Sequence, residues 1–320
     1  MKDWRNIDLL EEIIIGMIAA SIRLVTPLIL AGVGELLVER GGILNLSVEG
    51  MMLIGAFAGF VVTYFFGDPW LGVLIAALSG LALALLFGLL TVTFSLDQVV
   101  SGLAFNLVSI GATSYIYRAT FGWYVSPVPP HVNILITDVR LPILSDLPIV
   151  GSALFTHNPF TYLAVVFILL SAYLLSKTTW GLNIRATGED PLIAEYLGIG
   201  TYRIRYVLLA LEGTLAGVAG SLLSVSQYNM FLDNMTMGRG YIVIALIILG
   251  RWMPGRFLAA GALFAFIDAL QLRIQASGIT WFPHQFALML PYLTTLLALL
   301  LVGRRVKGPA GLGKPYKRVR

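Results

Sequence analysis

The stretch Gly181-Leu182-Asn183-Ile184-Arg185-Ala186-Thr187-Gly188-Glu189-Asp190-Pro191-Leu192-Ile193-Ala194-Glu195-Tyr196-Leu197-Gly198-Ile199-Gly200-Thr201-Tyr202-Arg203-Ile204-Arg205 is the longest strongly charged interruption between two long apolar runs. Its middle predicts a short helix, with Thr187 or Asp190 as cap, Pro191 in the first turn and Gly198 as the stop. Leu192, Glu195, Tyr196 and Ile199 recur at helical spacing, so the stub is one-sided and too short to stand alone in water. Lys177, Arg185, Arg203 and Arg205 surround it, and the positive-inside bias assigns it to the cytoplasmic face. Two readings follow: an ordinary cytoplasmic loop, or a docking helix that takes force from a soluble partner.

Outward from this island the composition fixes the class. The chain is 58% hydrophobic and 12% charged, with mean hydropathy +0.87, against about 25% charged in soluble domains. This is an all-α polytopic membrane bundle of about 9–10 spans, since each crossing needs about 20 apolar residues. Runs lie near Ile13–Leu37, Ser47–Phe66, Leu71–Phe94, Val99–Arg118, Phe160–Ser176, Ile204–Ser226, Tyr241–Trp252, Phe257–Ile274 and Phe286–Val302. The seventh is short and reads as a broken or part-length helix. Alternation puts the island, the Arg251–Arg256 turn and the tail on one side. That side collects Lys177, Arg185, Arg203, Arg205, Arg251, Arg256 and the seven basic residues of the tail, whereas Ala119–Asn158 holds only Arg140. The expected placement is a multi-pass protein of the plasma (inner) membrane with a cytoplasmic C-terminus. The N-terminus then lies outside, unless Glu39–Leu46 is re-entrant and changes the parity.

A single transmembrane domain is expected over 1–320: halves at about 13–178 and 202–302, a cytoplasmic segment 181–203 and a basic tail 303–320. The halves rest on an internal likeness. Leu30-Ala31-Gly32-Val33, Leu36-Leu37 and Asn45-Leu46-Ser47-Val48 reappear as Leu215-Ala216-Gly217-Val218, Leu222-Leu223 and Asn234-Met235-Thr236-Met237. An odd number of spans separates them, which is the mark of an inverted-topology repeat. Both polar insertions interrupt apolar runs, and irregular backbone at membrane depth needs protein or a wet cavity around it.

Polar side chains inside the spans are the candidate pathway. Gly102, Asn106, Ser109 and Thr113 share one helix face, as do Asp268, Gln271 and Gln275. With Asn45, Ser47, Glu49 and Asn234 from the two insertions, these mark a route for a polar solute. Gly213, Gly217, Gly220 and Ser224, with Gly55 and Gly59, read as a helix-packing face. Arg23 and Glu212 are charges deep in spans, and a structural Arg23–Glu212 pair is the first reading of them.

No catalytic set is visible, so the chain reads as no enzyme. Gly311-Leu312-Gly313-Lys314 lacks phosphate-loop spacing, and no Ser/His/Asp arrangement sits on a credible scaffold. Cysteine is absent. His131, His157 and His284 lack metal-ligand spacing and read as solvated loop residues, so no metal site is expected. The first residues carry Asp3, Asp8, Glu11 and Glu12, which argues against a cleavable signal. A nucleic-acid role for the basic tail is disfavoured against a cytoplasmic anchor after the last span, and membrane lipid is the expected surrounding partner.

Gly188-Glu189-Asp190-Pro191, Ala194 and Leu197-Gly198-Ile199 resemble the coupling segment of permease subunits of ABC importers, in the branch handling simple sugars, branched-chain amino acids and nucleosides. Gly34–Gly50 and Gly238-Arg239-Gly240-Tyr241 through Gly250-Arg251-Trp252-Met253-Pro254 are similar to the same branch, closest to the nucleoside-type permeases. Glu212 departs from that pattern, which has a small or hydroxyl residue there. The resemblance implies a cytoplasmic ABC ATPase docked on Gly188, Glu189, Asp190, Pro191, Leu192, Ala194, Leu197 and Gly198. It also implies a second permease, identical or not, and an extracytoplasmic binding protein. ATP is then used by the partner, and no cofactor is bound by this chain. The alternatives are a sugar or branched-chain amino acid as cargo, or an ion-gradient transporter using Glu212 and Asp268 as proton sites.

Overall fold

In lipid a spanning segment must satisfy its own backbone, and apolar runs of this length do so as helices. The computed structural model describes residues 3–122, 129–140, 142, 145, 150–276, 284–303 and 307–316. In chain order come α1 (Asp3–Arg40), α2 (Val48–Phe66), α3 (Pro69–Gly88), which runs on as a π-helical turn Leu89–Thr93, and α4 (Gln98–Phe121). After a loop containing β1 (Val139–Arg140), α5 (Val150–Phe155) and β2 (Thr156–His157), α6 (Pro159–Lys177) returns to the end where α4 began. There lie α7 (Thr179–Glu189) and α8 (Pro191–Tyr196). The second half is α9 (Thr201–Ser221) with a π-helical turn Leu222–Gln227, α10 (Arg239–Leu249), α11 (Pro254–Ala276) and α12 (His284–Gly303).

Seven helical stretches are long and apolar enough to cross a membrane, and two shorter apolar helices, Arg239–Leu249 and Gln285–Leu300, accompany them among the described residues. These match the nine predicted runs. The short seventh run is α10, whose 11 residues reach about 16 Å, half a bilayer. Three helices start with one device, an Asp or Asn cap followed by proline. Asp68 accepts from Trp70 N, Asn158 from Phe160 N and Asp190 from Leu192 N, each satisfying an orphan donor ahead of a residue already set for helix.

The core is α9 packed between α1, α2 and α3. Glycine permits this closeness. A Cβ on Gly217 would lie 2.1 Å from Ala76 O, one on Gly80 2.1 Å from Gly213 O, and one on Gly220 1.8 Å from Met52 O. The predicted glycine face is therefore a packing seam, where backbones meet directly. His157 corrects the solvated-loop expectation: it is 2% exposed, with Nε2 2.7 Å from Ala153 O. His131 is exposed and bridges to Met230, while His284 opens α12.

Five segments gather at one end of the bundle: the turn after α1, Ser95–Gln98, α7–α8, Arg251–Met253 and 307–316. Arg40 Nε donates to Trp252 O at 2.7 Å, and Ser95 Oγ to Tyr316 O at 2.9 Å. After Arg40 the chain reverses at Gly41–Gly42 and climbs back beside α1 and α9 before α2 begins.

Candidate coupling and translocation site

At this end Asp190 Oδ1 accepts from Leu192 N and Ile193 N, both at 3.0 Å. Asp190 is therefore the cap of α8. Thr187, the other candidate, is buried inside α7 with its hydroxyl unpartnered among the described residues. Gly198 stops the stub with φ +84°, a conformation that costs glycine little. Ala194 turns inward at 2% exposure, while Ile193, Tyr196 and Leu197 stand 56%, 73% and 75% exposed. The outward face is thus more apolar than the predicted Leu192–Glu195–Tyr196–Ile199 stripe. Glu195 Oε2 instead accepts from Tyr316 Oη at 3.1 Å. Gly188 is a close approach, since a Cβ there would meet Arg40 O at 2.0 Å. An exposed apolar face on a single helical turn, held by a cap and by Ala194, is what a docking surface requires.

Deeper in the bundle, the two irregular segments meet each other. Asn45 Nδ2 donates to both Glu212 oxygens at 2.9 Å, and its Oδ1 accepts from Ser47 N at 2.9 Å and Ser47 Oγ at 2.5 Å. Glu49 accepts from Thr236 Oγ1 at 2.5 Å, Gly238 N at 2.8 Å and Gly240 N at 2.6 Å. Its carboxylate thereby satisfies the free amides at the start of α10, where the helix dipole favours negative charge. Asn106 bridges the same region: Oδ1 accepts from Gly50 N at 2.8 Å, and Nδ2 donates to Leu46 O at 2.7 Å and Tyr241 Oη at 2.6 Å. Asn45, Ser47, Glu49 and Asn106 therefore form one region around the two breaks, with their polar atoms spent on protein.

The Arg23–Glu212 pair is corrected. Glu212 is fully buried against Asn45, and a Cβ on Gly34 would lie 2.5 Å from its Cα. Arg23 sits eleven residues before Gly34 in α1, about 16 Å along the axis, where it is exposed. It lines a cavity of about 500 Å³ with Thr26, Thr137, Asp138, Asn158 and Gln227 at the opposite end of the bundle. The neighbours of Glu212 that sequence reasoning missed are Glu35 and Glu39, both fully buried. Asn45 N donates to Glu35 at 3.4 Å, and Trp252 Nε1 donates to Glu39. Two acids one helical turn apart in an apolar span carried that signal.

The remaining pathway candidates divide. Asn234 is exposed with φ +55°, Asp268 is half-buried within electrostatic reach of Arg239, and Gln271 is 3% exposed with Nε2 unpartnered among the described residues. Ser109 and Thr113 are buried and bond backward to Phe105 O and Ser109 O, both at 2.7 Å, the local habit of hydroxyls on helices. The Asn106 stripe is thus a sealed seam in this conformation, not a wetted wall. Ser109→Cys is expected to resist a water-soluble thiol reagent, while Thr137→Cys in the cavity reacts at least tenfold faster. Equal rates would show that the seam opens to water. The native chain has no cysteine to confuse the readout.

A family model described as "Branched-chain amino acid transport system / permease component" matches residues 17–299. TsgC13 of Haloferax volcanii, provisionally named a glucose ABC transporter permease, is 34% identical over 95% of this chain and 98% of its own. The guanosine ABC transporter permease NupQ of Bacillus subtilis is 32% identical over 95% and 97%. The nucleoside ABC transporter permease NupC of Lactococcus lactis is 32% identical over 97% and 98%. No solved structure matches the chain. With a family model spanning most of its length and relatives aligned end to end, the chain belongs to the family of permease components of branched-chain amino acid transport systems, the ABC transporter permeases.

Proposed function

We propose that this chain is one transmembrane subunit of an ATP-driven importer whose cargo is a nucleoside. The exposed apolar face of α8 carries the reading. It stands at the end that gathers Lys177, Arg185, Arg203, Arg251 and Arg256, which the positive-inside bias makes cytoplasmic. A soluble ATPase docks there, through Gly188–Gly198. ATP is bound by that partner, and this chain has no chemistry of its own to perform. A second permease completes the pathway, and an extracytoplasmic binding protein delivers the solute at the opposite end. The relatives named for guanosine and nucleosides support the cargo; TsgC13 favours glucose as the second reading. Asn234, Asp268 and Gln271 remain the residues proposed for the pathway. The halves about 13–178 and 202–302 are proposed as inverted repeats. In support, each break follows a long helix, and Glu49 of the first caps the helix of the second.

The test is uptake into proteoliposomes holding the complete complex. Labelled guanosine accumulates when ATP is supplied, persists after ion gradients are collapsed, and is not displaced by excess glucose. Uptake that follows the ion gradient overturns the importer reading; displacement by glucose overturns the nucleoside.

A further inference from the structure

The docking helix α8 is only six residues long, joined to the rest of the chain through the Asp190 cap, buried Ala194 and Thr201 Oγ1, which donates to Pro191 O at 3.3 Å. Residues 307–316 fold back over the corner between α7 and α8 and bond the end of α7 at two points and α8 at one. Gly311 N donates to Gly188 O at 2.8 Å, Ala310 N to Glu189 Oε2 at 3.2 Å, and Tyr316 Oη to Glu195 Oε2 at 3.1 Å. Burial and the bond to Glu195 push the Tyr316 phenol up to about 12. The other side of the same segment grips the membrane-facing machinery. Ser95 Oγ donates to Tyr316 O at 2.9 Å, and Gln98 Nε2 to Lys314 O at 3.4 Å. Gln98 Oε1 then accepts from Leu44 N at 2.8 Å, next to the Asn45 that holds Glu212. Residues 307–316 of the basic tail, expected from sequence as a cytoplasmic anchor, lie between the docking helix and the first break.

We propose that residues 307–316 are a transmission strap in which Tyr316 is the positioning residue, carrying displacement of α8 through Gln98 to the Asn45–Glu212 junction. The strap rests on the reading of α8 as the ATPase-docking helix. Hydrogen bonds suit this task because they are directional, and together with the short chain segments 314–316 and 44–45 they link the two ends. A second contact separates transmission from folding. Arg205 is 1% exposed, its Nε and Nη2 find no hydrogen-bond partner among the described residues, and its guanidinium carbon lies 5.6 Å from the Tyr316 ring centroid. The ring stabilises that cation, and the hydroxyl holds α8.

The experiment measures ATP hydrolysed per nucleoside transported by the complete complex in proteoliposomes, alongside thermal stability. Tyr316→Phe keeps the ring over Arg205 and loses the bond to Glu195. It is expected to match the parent in stability while raising the ATP cost per solute at least threefold. Tyr316→Ala and a chain ending at Val306 raise it at least tenfold, with reduced stability. An unchanged ratio in Tyr316→Phe overturns the proposal, and it decides alone if the shortened chain does not assemble. Failure of the docking reading has a separate signature: a complex that stays coupled when the outward face of α8 itself is removed.

Discussion

Tyr196→Ala combined with Leu197→Ala is expected to lower substrate-stimulated ATP hydrolysis at least a hundredfold, with expression and thermal stability at the parent's values. The two side chains are 73% and 75% exposed, so the fold spends little on them and loses little with them. A docking patch, in contrast, concentrates its binding energy in a few large apolar and aromatic groups. Stimulated hydrolysis at half the parent's rate or more would remove α8 from the coupling interface. The more obvious double variant, Glu189→Ala with Asp190→Ala, is a weaker test. Asp190 caps α8 through two amides, and Glu189 accepts from Ala310 N. Losing the cap alone costs about 1 kcal/mol, so a loss of coupling there would mix docking with local unfolding and a loosened tail.

Gly217→Ala is expected to destabilise the bundle by about 3 kcal/mol, visible as a lower melting temperature in detergent or as loss of folded protein. The added methyl lands 2.1 Å from Ala76 O, and Gly55 already presses on the Gly217 carbonyl from α2. Neither side has a flexible side chain that can move away; both are helix backbone. Gly111→Ala is the control. Nothing lies within 4 Å of a Cβ at Gly111 on α4, and alanine there is expected to stabilise by about 1 kcal/mol through helix propensity. Equal melting temperatures for the two variants would show that α9 does not pack against α3 and α2 as described.

The outcome at Glu212 shows where one-dimensional reading stops. A carboxylate in an apolar run announces that something must receive it. Arg23 was the other charge deep in a predicted span, but a helix rise of 1.5 Å per residue sets it too far along α1. The receiving group is an amide, Asn45, carried there by a reversal at Gly41–Gly42. Asn106 gives the same lesson in the other direction. Its helical spacing with Ser109 and Thr113 was legible, and so was its position between the two breaks. Whether that face meets water or backbone depends on how closely α2 and α4 approach, and spacing along one helix carries no information about that distance.

The sequence by itself determined the membrane class, the nine apolar helices, the short α10, and the capped stub with its glycine stop. Each follows from local composition and from hydrogen bonds within a few residues, which any neighbourhood leaves in place. The tertiary structure alone decided the partners across long separations. These are Glu49 at the start of α10, Trp252 against Glu39, Asn45 under Glu212, and the tail against α8. The reason is physical: in a bundle held by backbone-to-backbone approach, a polar side chain bonds whatever the glycine contacts bring within about 3 Å.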